Sequence, residues 1–376
     1  MLKVSNLRAI VGLKKGIGGP MMNIELAKEM NIPVVEDRHY WFVRTTGGTH
    51  YEDFTTNGYI SIGWDYLSIE YFRKNPEEVV KKQIEKSERN QPTEAEDSRG
   101  ESGRALKQAV TMIYNKIDRF VNQFNLGDVV LVPSKNSEKL AIGIITSDVY
   151  EDSTYVQKFI VLNPDSEIVP CPYYKRRNVK WIKGIEKSQI DIFLAKALNA
   201  QHSISNIDDC ASLINRSIYN FYATDTDIHA IIHAGHPDGL SLKELKDLVN
   251  ALDAGLAMGA DVAGENYDPN QIDVKITIHS PGLLEICGLI ATSGLTISVM
   301  LFALSHYRHG GKAKGKFQCK FGEMELSFEY DHESKGELEY QQGAKKLNAE
   351  ILENLISLEK KLDITYPEIP EVEIKK

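Results

Sequence analysis

The chain has 376 residues, 42% of them hydrophobic and 26% charged. These proportions exclude a wholly disordered chain and leave room for two or three domains with a sizeable core. Lys and Arg total 44 against 53 Asp and Glu, a net charge of -9, so nucleic-acid contact would need a local basic cleft.

Residues 1–36 read as a lead-in. GIGGP at 16–20 is a turn without dinucleotide or phosphate-loop spacing, and Met22, Ile24, Leu26 and Ala27 suggest a short helix over 21–30. HYWFVRTT (39–46) reads as a strand ending at the Gly47-Gly48 turn, and NGYISIGW (57–64) as a second strand behind an Asn-Gly turn. PEEVVKKQIEKSER (76–89) opens with proline and two glutamates, a helix start. A polar break covers 90–103. The segment 104–124 is an amphipathic helix, with Leu106, Val110, Ile113, Ile117, Phe120 and Phe124 at three- and four-residue spacing. Strands are expected at 126–134, 139–150, 154–162 and 176–185. This order favours a small curved or barrel-like sheet with helices in its connections, over 37–187.

A mixed α/β region is expected over 188–335. The spacing predicts helices at 204–222 and at 241–258, the latter with Ser241 and Glu244 in a capping box. A strand is expected at 273–282, and 317–330 is either a hairpin around Gly322 or one curved strand. Between them 286–306 carries no charged residue and reads as one long apolar helix, buried in the core or spanning a membrane. Arg308, Lys312, Lys314 and Lys316 follow, as they would on the cytoplasmic side of an anchor or in an ordinary exposed loop. Residues 336–376 form a C-terminal helix and tail. There Leu347, Ile351, Leu355, Leu358 and Leu362 make a heptad-like stripe, packed internally or against a second copy in a homo-oligomer. The expected class is therefore α+β.

Cys171, Cys210, Cys287 and Cys319 are widely spaced and form neither a disulfide framework nor a zinc knuckle. A reducing compartment is the natural reading. The opening MLKVSNLRAIVGLKKGIGG holds no continuous apolar run, so cytoplasmic localisation is expected, with membrane association as the alternative raised by 286–306.

The most specific pattern is WFVRTTGG…NGYISIGW, then RFVNQFNLGDVVLVPS, AIGIITSDVYED and RRNVKWI, with Trp41, Arg44, Gly63, Trp64, Phe120, Gly127, Asp128, Gly143, Val179 and Trp181. Over about 39–185 this resembles the PUA-like or EVE-like fold, in the version found at the N-terminal end of Mrr-like restriction proteins. The resemblance implies a small barrel whose cleft binds DNA or RNA, often at a modified or flipped-out base, and a prokaryotic defence role. Such a base needs an aromatic wall and polar groups for its edge. Trp64, Tyr66 and Trp181 are candidate walls, and Arg44, Thr46, His50, Ser147 and Asp148 candidate polar contacts. Lys175, Arg176, Arg177 and Lys180 are candidate phosphate contacts. The alternative is that the tryptophans are core residues and the basic run a solvated surface.

The same resemblance invites a nuclease site of carboxylates and a lysine around a divalent metal. Asp261, Asp273 and Lys275 are its candidates, but no strand precedes Asp261 in the pattern. His229 and His233 would share a face if 225–234 were helical, with His236 beyond; surface histidines are the plainer reading. Ser280 lies before a proline with no visible base. A non-enzymatic nucleic-acid sensor without cofactor or metal leads. A divergent metal-dependent nuclease and a membrane-associated or protein-interaction protein are the alternatives.

Overall fold

The computed structural model describes residues 6–12, 22–35, 37–89, 102–187, 190–191, 194–196, 203–234, 240–277, 282–309, 315–321, 324–331, 344–346 and 349–368. Two compact units form: Asp37–Ile214, and Met1–Glu36 together with Asn215–Lys376. The lead-in thus clusters with the C-terminal part of the chain.

In chain order the elements begin with β1 (Asn6–Gly12) and α1 (Ile24–Glu29), the latter started by the Asn23 side chain, which accepts the Leu26 N–H at 2.9 Å. The Asp37–Ile214 unit holds β2 (Tyr40–Val43), α2 (Tyr51–Asn57), β3 (Tyr59–Ile62), α3 (Ile69–Lys74), α4 (Glu77–Arg89), α5 (Ser102–Asp118), β4 (Val129–Pro133) and β5 (Lys139–Ile145). β6 (Tyr150–Glu151), α6 (Tyr155–Leu162), β7 (Lys175–Glu186) and β8 (Ile204–Asn206) follow, and the division between units falls within α7 (Ala211–Ile218).

The sheet of this unit runs β3-β7-β5-β4-β2-β8, with β6 also paired to β7. β2 and β4 are parallel, which requires a crossover, and the chain from α2 to α5 supplies it. Every residue of β4 is buried, as expected of a central strand covered on both faces. β7 is twelve residues long and curls the sheet into a half-barrel. Its N-terminal half pairs with β3 and its C-terminal part with β5, and a register shift at Ile142/Gly143 bends the β5 pairing. Gly143 is needed there, because a Cβ would lie 2.3 Å from Val179 Cγ1 and 2.7 Å from Trp181 Cε3.

α5 buries Val110, Ile113 and Ile117, and a π-helical turn at Arg119–Gln123 carries Phe120 and Val121 into the same core. Two expectations are corrected here. TYVQKFIVL (154–162) is a helix, α6, and not a strand. The predicted 204–222 helix is broken into β8, a 3-10 turn, α7 and a strand, β9 (Phe221–Ala223).

The second unit continues with β10 (Asp227–Ala234), α8 (Leu242–Ala263), β11 (Ile272–Thr277), β12 (Gly282–Leu289), α9 (Ile290–His309), β13 (Gly315–Phe321), β14 (Met324–Asp331), β15 (Ala344–Lys346), α10 (Ala349–Leu362) and β16 (Ile364–Thr365). One sheet runs β11-β12-β10-β16 with β9 beside β10; another runs β13-β14-β1-β15, so 317–330 is a hairpin. The predicted capping box of α8 is present, with the Glu244 N–H donating to Ser241 Oγ at 3.2 Å and Ser241 N–H to Glu244 Oε2 at 3.0 Å.

The expected single helix over 286–306 is also corrected. Its first residues complete β12, hydrogen-bonded to β10 on one side and β11 on the other, and only from Ile290 does the chain turn helical. A helix apolar all round belongs in a core: Leu295, Ile297, Val299, Met300, Leu301, Ala303 and Leu304 are buried with α1, α8 and α10 residues. No helix among the described residues is long and apolar enough to cross a membrane. Its hydroxyls are satisfied inside: Thr296 Oγ1 donates to Glu265 at 2.6 Å and Ser298 Oγ to the Gly294 carbonyl at 2.7 Å. α8 and α9 pack closely at Gly259, where a Cβ would stand 2.5 Å from the Thr296 carbonyl oxygen. The C-terminal leucine stripe packs internally, with Leu355, Leu358 and Leu362 buried and Leu347 outside the described residues.

Gly259→Val therefore forces α8 and α9 apart and should lower stability by about 1–3 kcal/mol. Leu355→Ala, which leaves a cavity in the same core, should lower it by about 2–5 kcal/mol. Urea unfolding followed by circular dichroism measures both; an unchanged midpoint for Gly259→Val would show that the helices do not meet there.

Candidate functional site

The candidate site lies in the Asp37–Ile214 unit, where three segments converge. The first is the Thr45–His50 turn leading into α2. Thr45 is anchored by donating Oγ1–H to the Pro133 carbonyl at 2.6 Å. Thr46, Gly47 and Gly48 are all left-handed (φ 52, 67 and 97), leaving Thr46 exposed. The turn crosses the chain so closely that a Cβ at Gly48 would lie 2.3 Å from the Lys135 nitrogen. The second is Gly63-Trp64 after β3, where Trp64 holds φ 62, a conformation costly for a bulky residue. The third is the 171–174 stretch before β7. A Cβ on Gly63 would touch Tyr173 at 3.1 Å, and the His50 and Tyr173 rings meet edge-on at 5.6 Å between centroids.

Beneath them is a buried polar cluster around Asp53. Its carboxylate accepts the Tyr155 hydroxyl at 2.5 Å, the Cys171 N–H at 2.6 Å, the Asn57 amide at 2.8 Å and the Tyr59 hydroxyl. The Arg176 guanidinium lies 4.2 Å from the Tyr59 ring centroid and 3.7 Å from that of Tyr155, a cation–π sandwich. One of its nitrogens, Nη2, donates to the Cys171 carbonyl at 2.8 Å. Its Nε and Nη1, together with His50 Nδ1, are buried without a hydrogen-bond partner. Such atoms are costly to leave unmet. Burial pushes the His50 pKa below its ordinary value, with Asp53 and Arg176 acting on it in opposite directions. The Cys171 thiol, raised by burial, rests 3.1 Å from Ser61 Oγ.

The sequence-predicted residues fall into three groups. Thr46, His50 and Trp64 lie on the segments that form this corner, with Lys116 Nζ 5.6 Å over Trp64, whereas Arg44, just after β2, is exposed with its guanidinium 5.7 Å over the Phe42 ring. Tyr66 and Trp181 are half-buried and already engaged, Tyr66 donating to Glu88 at 2.8 Å and Trp181 Nε1 to the Phe54 carbonyl at 2.7 Å. Ser147 is half-buried and Asp148 exposed, beside Arg177: Ser147 Oγ donates to the Asp148 carbonyl at 2.8 Å and accepts the Asn178 N–H at 2.8 Å.

The phosphate-contact expectation is corrected for three of its four residues; Lys180 is exposed. Lys175, Arg176 and Arg177 are 0%, 1% and 1% exposed, so they offer no cation to a backbone outside. Arg177 caps the π-turn, donating to the carbonyls of Phe120 at 2.9 Å, Val121 at 3.2 Å and Ser147 at 3.2 Å; burial pulls its pKa down to about 10. Lys175 Nζ donates to the Trp64 carbonyl at 2.9 Å and meets Asp65 at 3.4 Å, fixing the strained Trp64 backbone. Asp128 is architectural too, accepting Trp41 Nε1 at 2.8 Å and the N–H groups of His39 and Asn125. Asp53, Tyr59, Tyr155, Cys171 and Tyr173 were missed by sequence reasoning. They become neighbours only through the fold.

In the other unit, Asp261 lies on α8, and Asp273 and Lys275 are exposed on β11. Lys275 faces Glu285 at 3.8 Å. Residues 227–234 are a strand and not a helix, and His229 bonds Glu285 at 2.7 Å. Among the described residues no group of three or more His, Cys, Asp or Glu could hold a metal ion. His236 and Ser280 lie outside the described residues.

Residues 41–208 are similar to a family described as a domain of unknown function (DUF8426). No curated protein and no solved structure matches the chain.

His50 is buried with a depressed pKa. The unfolded chain binds the proton more readily, so this contribution is present above about pH 6.5 and lost as pH falls below it. His50→Phe should therefore lose less stability than the unaltered protein between about pH 6.5 and pH 5. Urea midpoints of both proteins across that range test this; parallel losses would remove His50 as the cause. At neutral pH, Arg177→Met strips the π-turn carbonyls of Phe120 and Val121 and the carbonyl of Ser147 of their donor. It should destabilise by about 2–4 kcal/mol, against less than about 0.5 kcal/mol for exposed Arg44→Ala, by the same measurement.

Proposed function

We propose that the Asp37–Ile214 unit reads nucleic acid, taking an unstacked base at the His50 corner, and that the chain senses DNA or RNA, modified bases included. One observation carries this reading: His50 Nδ1 and Arg176 Nε and Nη1 are buried unpartnered polar atoms at a corner walled by aromatic rings. A flipped base supplies a flat ring for such walls and hydrogen-bonding atoms for such an edge. The order of short motifs resembling a PUA-like domain supports the same reading, as does the exposure of Arg44 and Thr46 on the chain leading into the His50 turn. A role in prokaryotic defence is part of this proposal and rests on the resemblance alone.

The test is filter binding of the full chain to single-stranded and duplex DNA and RNA carrying one unpaired position, at several salt concentrations. Arg44→Ala should weaken all sequences alike and reduce the salt slope by about one. Trp64→Ala should cost about 1–3 kcal/mol, chiefly in the base-dependent part. Failure of every strand to bind at low salt would overturn the reading.

A protein-docking role is the second reading. α6 leaves Ile160, Val161 and Leu162 at 56%, 77% and 77% exposure, with Val169 close behind in sequence at 57%, an apolar run that solvent disfavours. Val161→Asp with Leu162→Asp should abolish any self-association seen by sedimentation while leaving strand binding intact.

A further inference from the structure

The hydrogen-bonding capacity at the His50 corner is one-sided. Asp53 has two carboxylate oxygens with about four lone-pair positions. All four are taken: Oδ1 by Asn57 and Tyr155, Oδ2 by Tyr59 and Cys171. The Cys171 carbonyl accepts from Arg176 Nη2, and Ser61 Oγ and Cys171 Sγ face each other. The Asp53 carboxylate thus has no acceptor position left for a ligand. The atoms still unmet are Arg176 Nε and Nη1, which can only donate, and His50 Nδ1, which donates in one tautomer.

We infer that this corner selects bases that present a carbonyl oxygen, as hypoxanthine, uracil and thymine do, at the ring position where adenine and cytosine present an exocyclic amino group. The inference rests on the nucleic-acid reading above and adds the chemical class of base to it. An amino group brought to this edge would set N–H against N–H, leaving buried donors unmet on both sides. A carbonyl oxygen would meet the guanidinium in a charge-assisted bond. The His50 ring adapts by tautomer, so Arg176 carries the discrimination and His50 reinforces it.

The experiment uses the full chain and two matched pairs of 12-nucleotide single strands. One pair differs only in hypoxanthine against adenine at the central position, the other only in uracil against cytosine. Each pair exchanges a carbonyl oxygen for an amino group on an otherwise similar ring. The carbonyl member should bind about tenfold tighter or more in both pairs. Arg176→Gln should bring both ratios close to one, and His50→Ala should reduce them at least threefold, with circular dichroism reporting whether each variant is folded. If Arg176→Gln does not fold, the His50→Ala ratios decide. Equal affinity within each pair, or tighter binding of the amino member, overturns this inference while leaving the base-reading proposal standing. No binding of any of the four strands overturns both.

Discussion

Two adjacent arginines buried in one strand organise the Asp37–Ile214 unit. Neighbouring residues of a strand point to opposite faces, so Arg176 and Arg177 send their guanidinium groups to opposite sides of β7. Arg177 reaches the carbonyls of the π-turn that closes α5, and Arg176 enters the aromatic and carboxylate cluster beside α2 and α6. A buried guanidinium is tolerated only where carbonyls, carboxylates or ring faces surround it. A one-residue slip of β7 would exchange the two faces and strand both charges. The pair therefore fixes the register against β3, in which Arg176 stands opposite Ser61 and Arg177 opposite Ile60.

The second unit holds together by different means. Its sheet presents Ile228, Ala230, Ile232, Leu284 and Ile286 to α8, α9 and α10, in the period-two alternation of strands covered on one face by helices. His229 and Glu285 occupy the alternate positions, with Tyr222 stacked on His229 at 4.5 Å and Arg216 3.8 Å from the carboxylate. The hydrogen bond to His229 and the charges of Lys275 and Arg216 hold Glu285 below the usual carboxylate range despite burial, a network that keeps a charged group inside a sheet face. Burial pushes the Cys287 thiol up to about 11, so its place 3.9 Å from His229 is packing and not activation.

Where local chemistry decides structure, the sequence was legible. The Ser241–Glu244 box starts α8, the paired glutamates start α4, and the apolar spacing of 104–124 marks the buried face of α5. The misreadings have physical causes. TYVQKFIVL is rich in aromatic and β-branched residues, which favour strands, yet only Phe159 of α6 is buried, so no period was available to read. At 286–306 an uncharged run crosses from a doubly paired strand into a core helix. Both are apolar on every side, so periodicity cannot place the junction at Leu289-Ile290. The run at 175–177 reads as exposed, as phosphate contacts or as a solvated surface, because charged residues are rarely buried. Apart from Cys171, its acceptors sit at Trp64, Phe120, Val121 and Ser147, far away in sequence. His50 and Trp64 were visible as candidates, whereas the unmet donors beside them depend on tertiary contacts that no local pattern encodes.

The distribution of tryptophan has a practical consequence. The chain has three, Trp41, Trp64 and Trp181, and all belong to the Asp37–Ile214 unit. They report distinct surroundings: Trp41 is buried and stacked on Phe124 at 4.4 Å, Trp64 is half-buried beneath a lysine, and Trp181 is tied to a helix carbonyl. Intrinsic emission excited at the indole band is thus a built-in label for one half of the molecule. A chain whose emission shifts while only part of its helical ellipticity is lost would have opened that half alone, and quenching by acrylamide would isolate Trp64 and Trp181 from the shielded Trp41 without any dye attached.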